Sequence, residues 1–144
     1  MVDEELAGRL RRVQDAGPAL MGAFNALTRS HAYFQNAGDL KTVSVSDVLD
    51  NGSIEATFQG VRIAFVLVPV LGANRRPRGR VIVMHCHCVY GLPKQDLLGA
   101  FTYGEDGVTD LDPDSAEHWL HMQSDGASIV LRFLDAALVA NKTV

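Results

Sequence analysis

The stretch Ile54-Glu55-Ala56-Thr57-Phe58-Gln59-Gly60-Val61-Arg62-Ile63-Ala64-Phe65-Val66-Leu67-Val68-Pro69-Val70 decides the fold. Ile54, Ala56 and Phe58 alternate with Glu55, Thr57 and Gln59, the period-two pattern of a strand with one buried face. Gln59-Gly60 reads as a turn. Beyond it, Ile63, Phe65 and Leu67 fall on one face and Ala64, Val66 and Val68 on the other. A strand apolar on both faces belongs in the middle of a sheet, covered on each side. Pro69 has no amide hydrogen to give to a ladder, so it predicts a sheet edge or a strand end.

The pattern extends outward from this pair. Upstream, Asn51-Gly52 is a hairpin signal because both residues tolerate positive φ. Val43 and Val45 alternate with Ser44 and Ser46, which fits a short strand, while residues 48–50 fit a strand or a helical turn. Downstream come a basic loop over 72–79, a β-rich run over 80–90 and a shorter strand over 97–103. Residues 104–107 then turn the chain into Val108-Thr109.

The two ends have helical periods. Leu6, Leu10 and Val13 recur behind the acidic turn Asp3-Glu4-Glu5, which suits a helix N-terminus. Gly17-Pro18 predicts a break, with Pro18 opening a second helix whose stripe is Leu20, Phe24, Leu27, His31 and Phe34. Gly38 is placed to cap it. A further helix is expected from Asp112-Pro113-Asp114 through Met122, and a last one over 129–140, apolar nearly all round and expected to lie against the sheet or another subunit. The chain therefore reads as one domain over 1–144: helical at 3–36, β-rich at 41–110 and helical at 113–141. Strands at hairpin spacing between segregated helices predict an α+β fold, with an antiparallel sheet of about five strands flanked by N- and C-terminal helices.

Composition bounds the function. At 144 residues with 47% hydrophobic and 21% charged residues, the chain can bury a core without disulfides. A net charge of −4 gives no global attraction to nucleic acid or anionic membranes. The start Met-Val-Asp-Glu-Glu is the opposite of a secretory signal, and no apolar run approaches membrane-spanning length. Cys86 and Cys88, one residue apart on a strand, are poorly placed for a mutual disulfide and read as free thiols. A cytoplasmic location without a membrane partner is the expectation.

Three features bear on chemistry. In Met84-His85-Cys86-His87-Cys88, a strand puts His85 and His87 on one face, where a His-x-His pair can ligate a divalent transition metal. His118 or His121, three apart on the expected helix, would supply a third ligand. The competing reading sets the histidines on a polar face and the cysteines in the core, with no cofactor. The arginines Arg75, Arg76, Arg78 and Arg80 concentrate positive charge at a hairpin tip, suited to phosphate or carboxylate. Nucleic acid is the less favoured partner, because the chain is acidic and no aromatics interleave the arginines. Asp110, Asp112 and Asp114 open like a calcium loop, but Ser115 and His121 stand where such a loop needs Gly and Glu. No catalytic residue emerges, since neither a nucleophile elbow nor a phosphate-binding glycine loop is present. The expected function is a non-enzymatic protein-interaction or regulatory module, inhibitor- or chaperone-like, binding another protein or itself as a homodimer. A His-x-His metal protein or metal-dependent enzyme and a nucleic-acid binder are the alternatives.

Overall fold

A computed structural model of the chain describes residues 3–36, 38–111 and 119–140. Helix α1 runs Glu4–Asn25 and passes through a 3-10 turn, Ala26–Arg29, into α2, Ser30–Asn36. Five strands follow: β1 Ser44–Val45, β2 Ile54–Phe58, β3 Val61–Leu71, β4 Pro77–Val89 and β5 Leu92–Tyr103. Helix α3, Gly126–Ala140, comes last. The strands form one antiparallel sheet in the order β1-β2-β3-β4-β5. The fold is α+β, and no helix among the described residues is long and apolar enough to cross a membrane.

The sheet is a plain meander because each connection is a local turn. Gln59-Gly60 joins β2 to β3 with φ of 50° and 81°, and Tyr90-Gly91 joins β4 to β5 with φ of 52° and 78°. Two consecutive left-handed residues twist a two-residue loop in the sense the strands require. Pro69 lies inside β3, which is a central strand. Yet β2 pairs only with positions 61–65 of β3, so Pro69 sits where β3 has outrun its neighbour on that side.

The core lies between the sheet and the helices. By register, Ile63, Phe65, Val81, Val83, Phe101 and Tyr103 share one face, and all are buried. Phe133 of α3 packs edge-on to Phe65 and stacks on Phe101, with ring centroids 6.0 and 5.7 Å apart. Helix α1 is tied to the same face by the Tyr103 hydroxyl, which donates to the Leu20 carbonyl at 2.6 Å.

Four expectations need correction. Gly17-Pro18 does not break the first helix: α1 continues for 22 residues with Pro18 inside it. Ala16, Leu20, Ala23 and Phe24 form one buried stripe across that point, and their burial outweighs the bond Pro18 cannot donate. The helix expected through Met122 lies largely outside the described residues. Its described end is not helical, because the Thr109 amide donates to the Leu120 carbonyl and His121 bridges Val108. Residues 48–50 are neither strand nor helical turn, and only Ser44–Val45 pairs there. The strand placed at 97–103 begins at Leu92, across the Tyr90-Gly91 turn.

Candidate functional site

His85 and His87 do share a face of β4, but it is the helix-covered one. His85 is buried beside Ile63, its partner across β3, while Cys86 and Cys88 point to the opposite face. The expected histidines-out, cysteines-in arrangement is thus reversed, because Val81, Val83 and Phe101 set the parity of the strands against α3. The two imidazoles stack at 4.7 Å, 12° from parallel. The longer β5 adds a third group that sequence reading missed: Asp96, the register partner of His85, whose Oδ2 lies 2.6 Å from His87 Nε2. Lys94 Nζ is 3.9 Å from the other carboxylate oxygen.

The electrostatics follow from this packing. Burial, and then the nearby His87, pull the His85 pKa below the ordinary histidine value, against the opposing pull of Asp96. The hydrogen bond from His87 holds the Asp96 carboxyl below the usual carboxylate range. The cluster can hold and share a proton at Nε2 and Oδ2. A shared metal needs lone pairs converging on one point about 2.0–2.1 Å from each nitrogen. Near-parallel stacked rings aim theirs side by side. Among the described residues no three His, Cys, Asp or Glu side chains are grouped to hold a metal. His118 lies outside the described residues. His121 bridges Val108 beyond the Tyr103 end of β5, roughly 20 Å along the strand from His85. Cys86 is no stronger a candidate, since burial pushes its thiol up and keeps it from being an activated nucleophile.

The arginine loop is built into the fold. Arg75 Nη1 donates to Glu5 Oε1 of α1 at 3.1 Å, and Arg78 Nε donates to Thr102 Oγ1 at 3.0 Å. Arg76 and Arg80 are exposed. Arg76 and Arg78 line a cleft of about 460 Å³ with Glu105 and Asp106, so its charge is mixed rather than phosphate-like.

The largest feature is the other face of the sheet. Register sets Ala64 of β3 beside Met84 of β4 and Leu97 of β5, and Val66 beside Ile82 and Ala100; Val68 and Val70 stand beside Arg80 and Arg78, Cys86 beside Arg62, and Glu55 of β2 beside Ala64. None of these side chains belongs to the core cluster, and no described helix lies over them. Leu97 is 67% exposed and Val68 37%. The β5 bulge between Gly99 and Leu97 contributes here: it turns Leu98 toward the core and leaves Leu97 on the open face. A one-sided antiparallel sheet ordinarily alternates apolar-in with polar-out, so two apolar rows on the outer face, bordered by Glu55, Arg62 and Arg80, depart from that pattern.

The fold is thus a five-stranded antiparallel meander with helices on one face and an apolar surface on the other. Comparison with protein-family models, with curated proteins and with solved structures found no match.

Proposed function

We propose that this chain works by binding protein rather than by catalysis, with the uncovered face of its sheet as the working surface. The observation that carries the reading is the pair of apolar rows on that face, Ala64/Met84/Leu97 and Val66/Ile82/Ala100, with the described helices all serving the opposite face. Burying such a surface is worth roughly 25 cal/mol per Å² before ordering and association costs are taken off. Cysteines Cys86 and Cys88 are both free, which supports a reducing, cytoplasmic setting. The mixed-charge cleft and the engaged Arg75 and Arg78 give nucleic acid less support as the partner.

Photo-cross-linking in the producing cell tests the reading. A benzoylphenylalanine in place of Leu97 is expected to give covalent protein adducts. The same group in place of Ala19, exposed on α1, serves as the control and is expected to give none. Absence of every protein adduct from position 97 overturns the reading.

A further inference from the structure

We propose that the cleft beside the β3–β4 hairpin tip is a binding site for a free α-amino acid, with the ligand carboxylate on Arg78 and Arg76 and its ammonium on Asp106 and Glu105. The site lies apart from the two apolar rows and goes beyond the protein-binding reading.

Arg78 is held in place by its surroundings. Its stem crosses Gly72, where a Cβ would lie 2.6 Å from the arginine Cδ and 3.3 Å from its Cγ. Its Nε donates to Thr102 Oγ1 at 3.0 Å. Asp110 fixes that threonine in turn, accepting from its amide at 2.8 Å and from its hydroxyl at 3.2 Å. The loop beneath is also tied down: the Gly72 amide donates to the Arg76 carbonyl at 2.9 Å, and Arg75 is bonded to Glu5 of α1. With Nε engaged, the two terminal nitrogens of Arg78 are left for a ligand. An arginine fork positioned in advance recognises a carboxylate bidentately at little entropic cost.

Close to it stands a carboxylate that it does not reach. A Cβ built on Gly104 would lie 3.3 Å from Arg78 Nη1 and 3.1 Å from Asp106 Oδ1, so these two charged atoms are no more than about 6.4 Å apart. The Val108 amide donates to Asp106 Oδ1 at 3.0 Å and fixes the carboxylate. Among the described residues, neither Arg76, Arg78 nor Asp106 forms an ion pair. An unpaired guanidinium and carboxylate at that spacing are bridged by a ligand that carries both opposite charges. An α-amino acid has them on one carbon, and a charged hydrogen bond on each side adds about 2.8 Å. A zwitterion with its charges at the ends of a long chain overshoots the gap.

Charge and size select the same ligand. The cleft of about 460 Å³ is lined by two arginines and by the acids Glu105 and Asp106. A phosphate or a simple carboxylate is opposed by the acids, and a simple amine by the arginines, so a ligand with both charges is the one matched throughout. The volume is in the range of small-molecule sites. A second cleft of about 490 Å³ shares Arg76 and Arg78 and is lined in part by Val70 and Ala73, which leaves room for the ligand side chain.

The test titrates the nitrogen-15-labelled full chain with each of the common α-amino acids in turn and reads the amide shifts. At least one amino acid is expected to bind, with shifts centred on Gly72, Thr102 and Gly104. Its carboxamide lacks the carboxylate and its N-acetyl derivative lacks the ammonium, and each is expected to bind on the order of tenfold or more weaker. Inorganic phosphate is expected not to compete. Arg78→Lys keeps the charge and loses the fork, while Asp106→Asn loses the acid. Each should weaken binding on the order of tenfold or more, with the far-ultraviolet circular dichroism unchanged. Arg80→Lys, exposed and outside the cleft, should leave binding as it was. If a variant fails to fold, the two derivatives on the unaltered chain still decide. No amino acid bound at about 20 mM overturns the proposal. So does an N-acetyl derivative or phosphate that binds as tightly as the amino acid, or binding indifferent to Arg78→Lys and Asp106→Asn.

Discussion

Gly79 and Tyr103 are register partners on β4 and β5, and a Cβ built on Gly79 would lie 2.5 Å from the tyrosine Cζ and 2.7 Å from its hydroxyl. The missing side chain makes the space in which the ring reaches α1. Tyr103 is fully buried, and its hydroxyl donates to the Leu20 carbonyl. Gly79→Ala should force the ring out of place and lose that bond as well, destabilising by about 2–4 kcal/mol. Tyr103→Phe keeps the packing and loses only the hydrogen bond, at about 1 kcal/mol. Urea unfolding of the two variants checks the order. If Tyr103→Phe proves the more damaging, space at Gly79 is not what holds the contact.

Much of the sheet was legible because its determinants are local. Gln59-Gly60 and the alternation on either side of it locate β2, β3 and their pairing without reference to anything distant. Pro18 was not legible in the same way. Its local preference argues for a break, and the opposing term is tertiary: the stripe from Ala16 to Phe24 is continuous only if the helix is. The start of β5 was missed for a related reason. Pro93 argues against a strand interior, yet β5 is the edge strand, where a missing amide hydrogen is tolerated. With β5 shortened, Asp96 could not be set beside His85 and His87. The parity of the histidines depends on which face of β4 the helices occupy, and alternation alone does not say which.

The same conflict at Pro18 makes a stability prediction. The ring is exposed and lies within a continuous helix, where it removes a backbone bond to the Gln14 carbonyl. Pro18→Ala restores the donor and a favourable helical residue. Part of the gain is offset because alanine leaves the unfolded chain freer. The expected result is stabilisation by about 1–2 kcal/mol, read by thermal or urea unfolding. A loss of stability would mean that Pro18 sets a bend on which the α1 packing depends.

The histidine cluster should make the protein sensitive to acid. Burial lowers the His85 pKa in the folded state, so the unfolded chain binds the proton more readily. Stability is full above the ordinary histidine value of 6.5 and falls as the pH drops below it toward the folded-state value. Asp96 acts in a lower window: its carboxyl is held below 3.8, so its contribution is present above that value and is lost as the pH falls through the folded-state one. Wild-type protein should therefore unfold at lower denaturant at pH 5.5 than at pH 7.5. His85→Phe should narrow that gap. His87→Ala removes the donor to Asp96, and a carbon-13 titration of the Asp96 carboxyl should then show its pKa rising. An unchanged gap in the first variant, or an unmoved carboxyl in the second, contradicts the assignment.

Tyr90 occupies the first position of the β4–β5 turn at φ 52° and is completely exposed. A tyrosine in the left-handed region carries strain on the order of 1 kcal/mol, and this one has no burial to offset it. Asparagine followed by glycine is the pair this turn geometry prefers, and Gly91 already supplies the second member. Tyr90→Asn should raise stability by about 0.5–1 kcal/mol in urea unfolding. A loss of stability would instead mean that the left-handed backbone at position 90 is not the strained element of the turn.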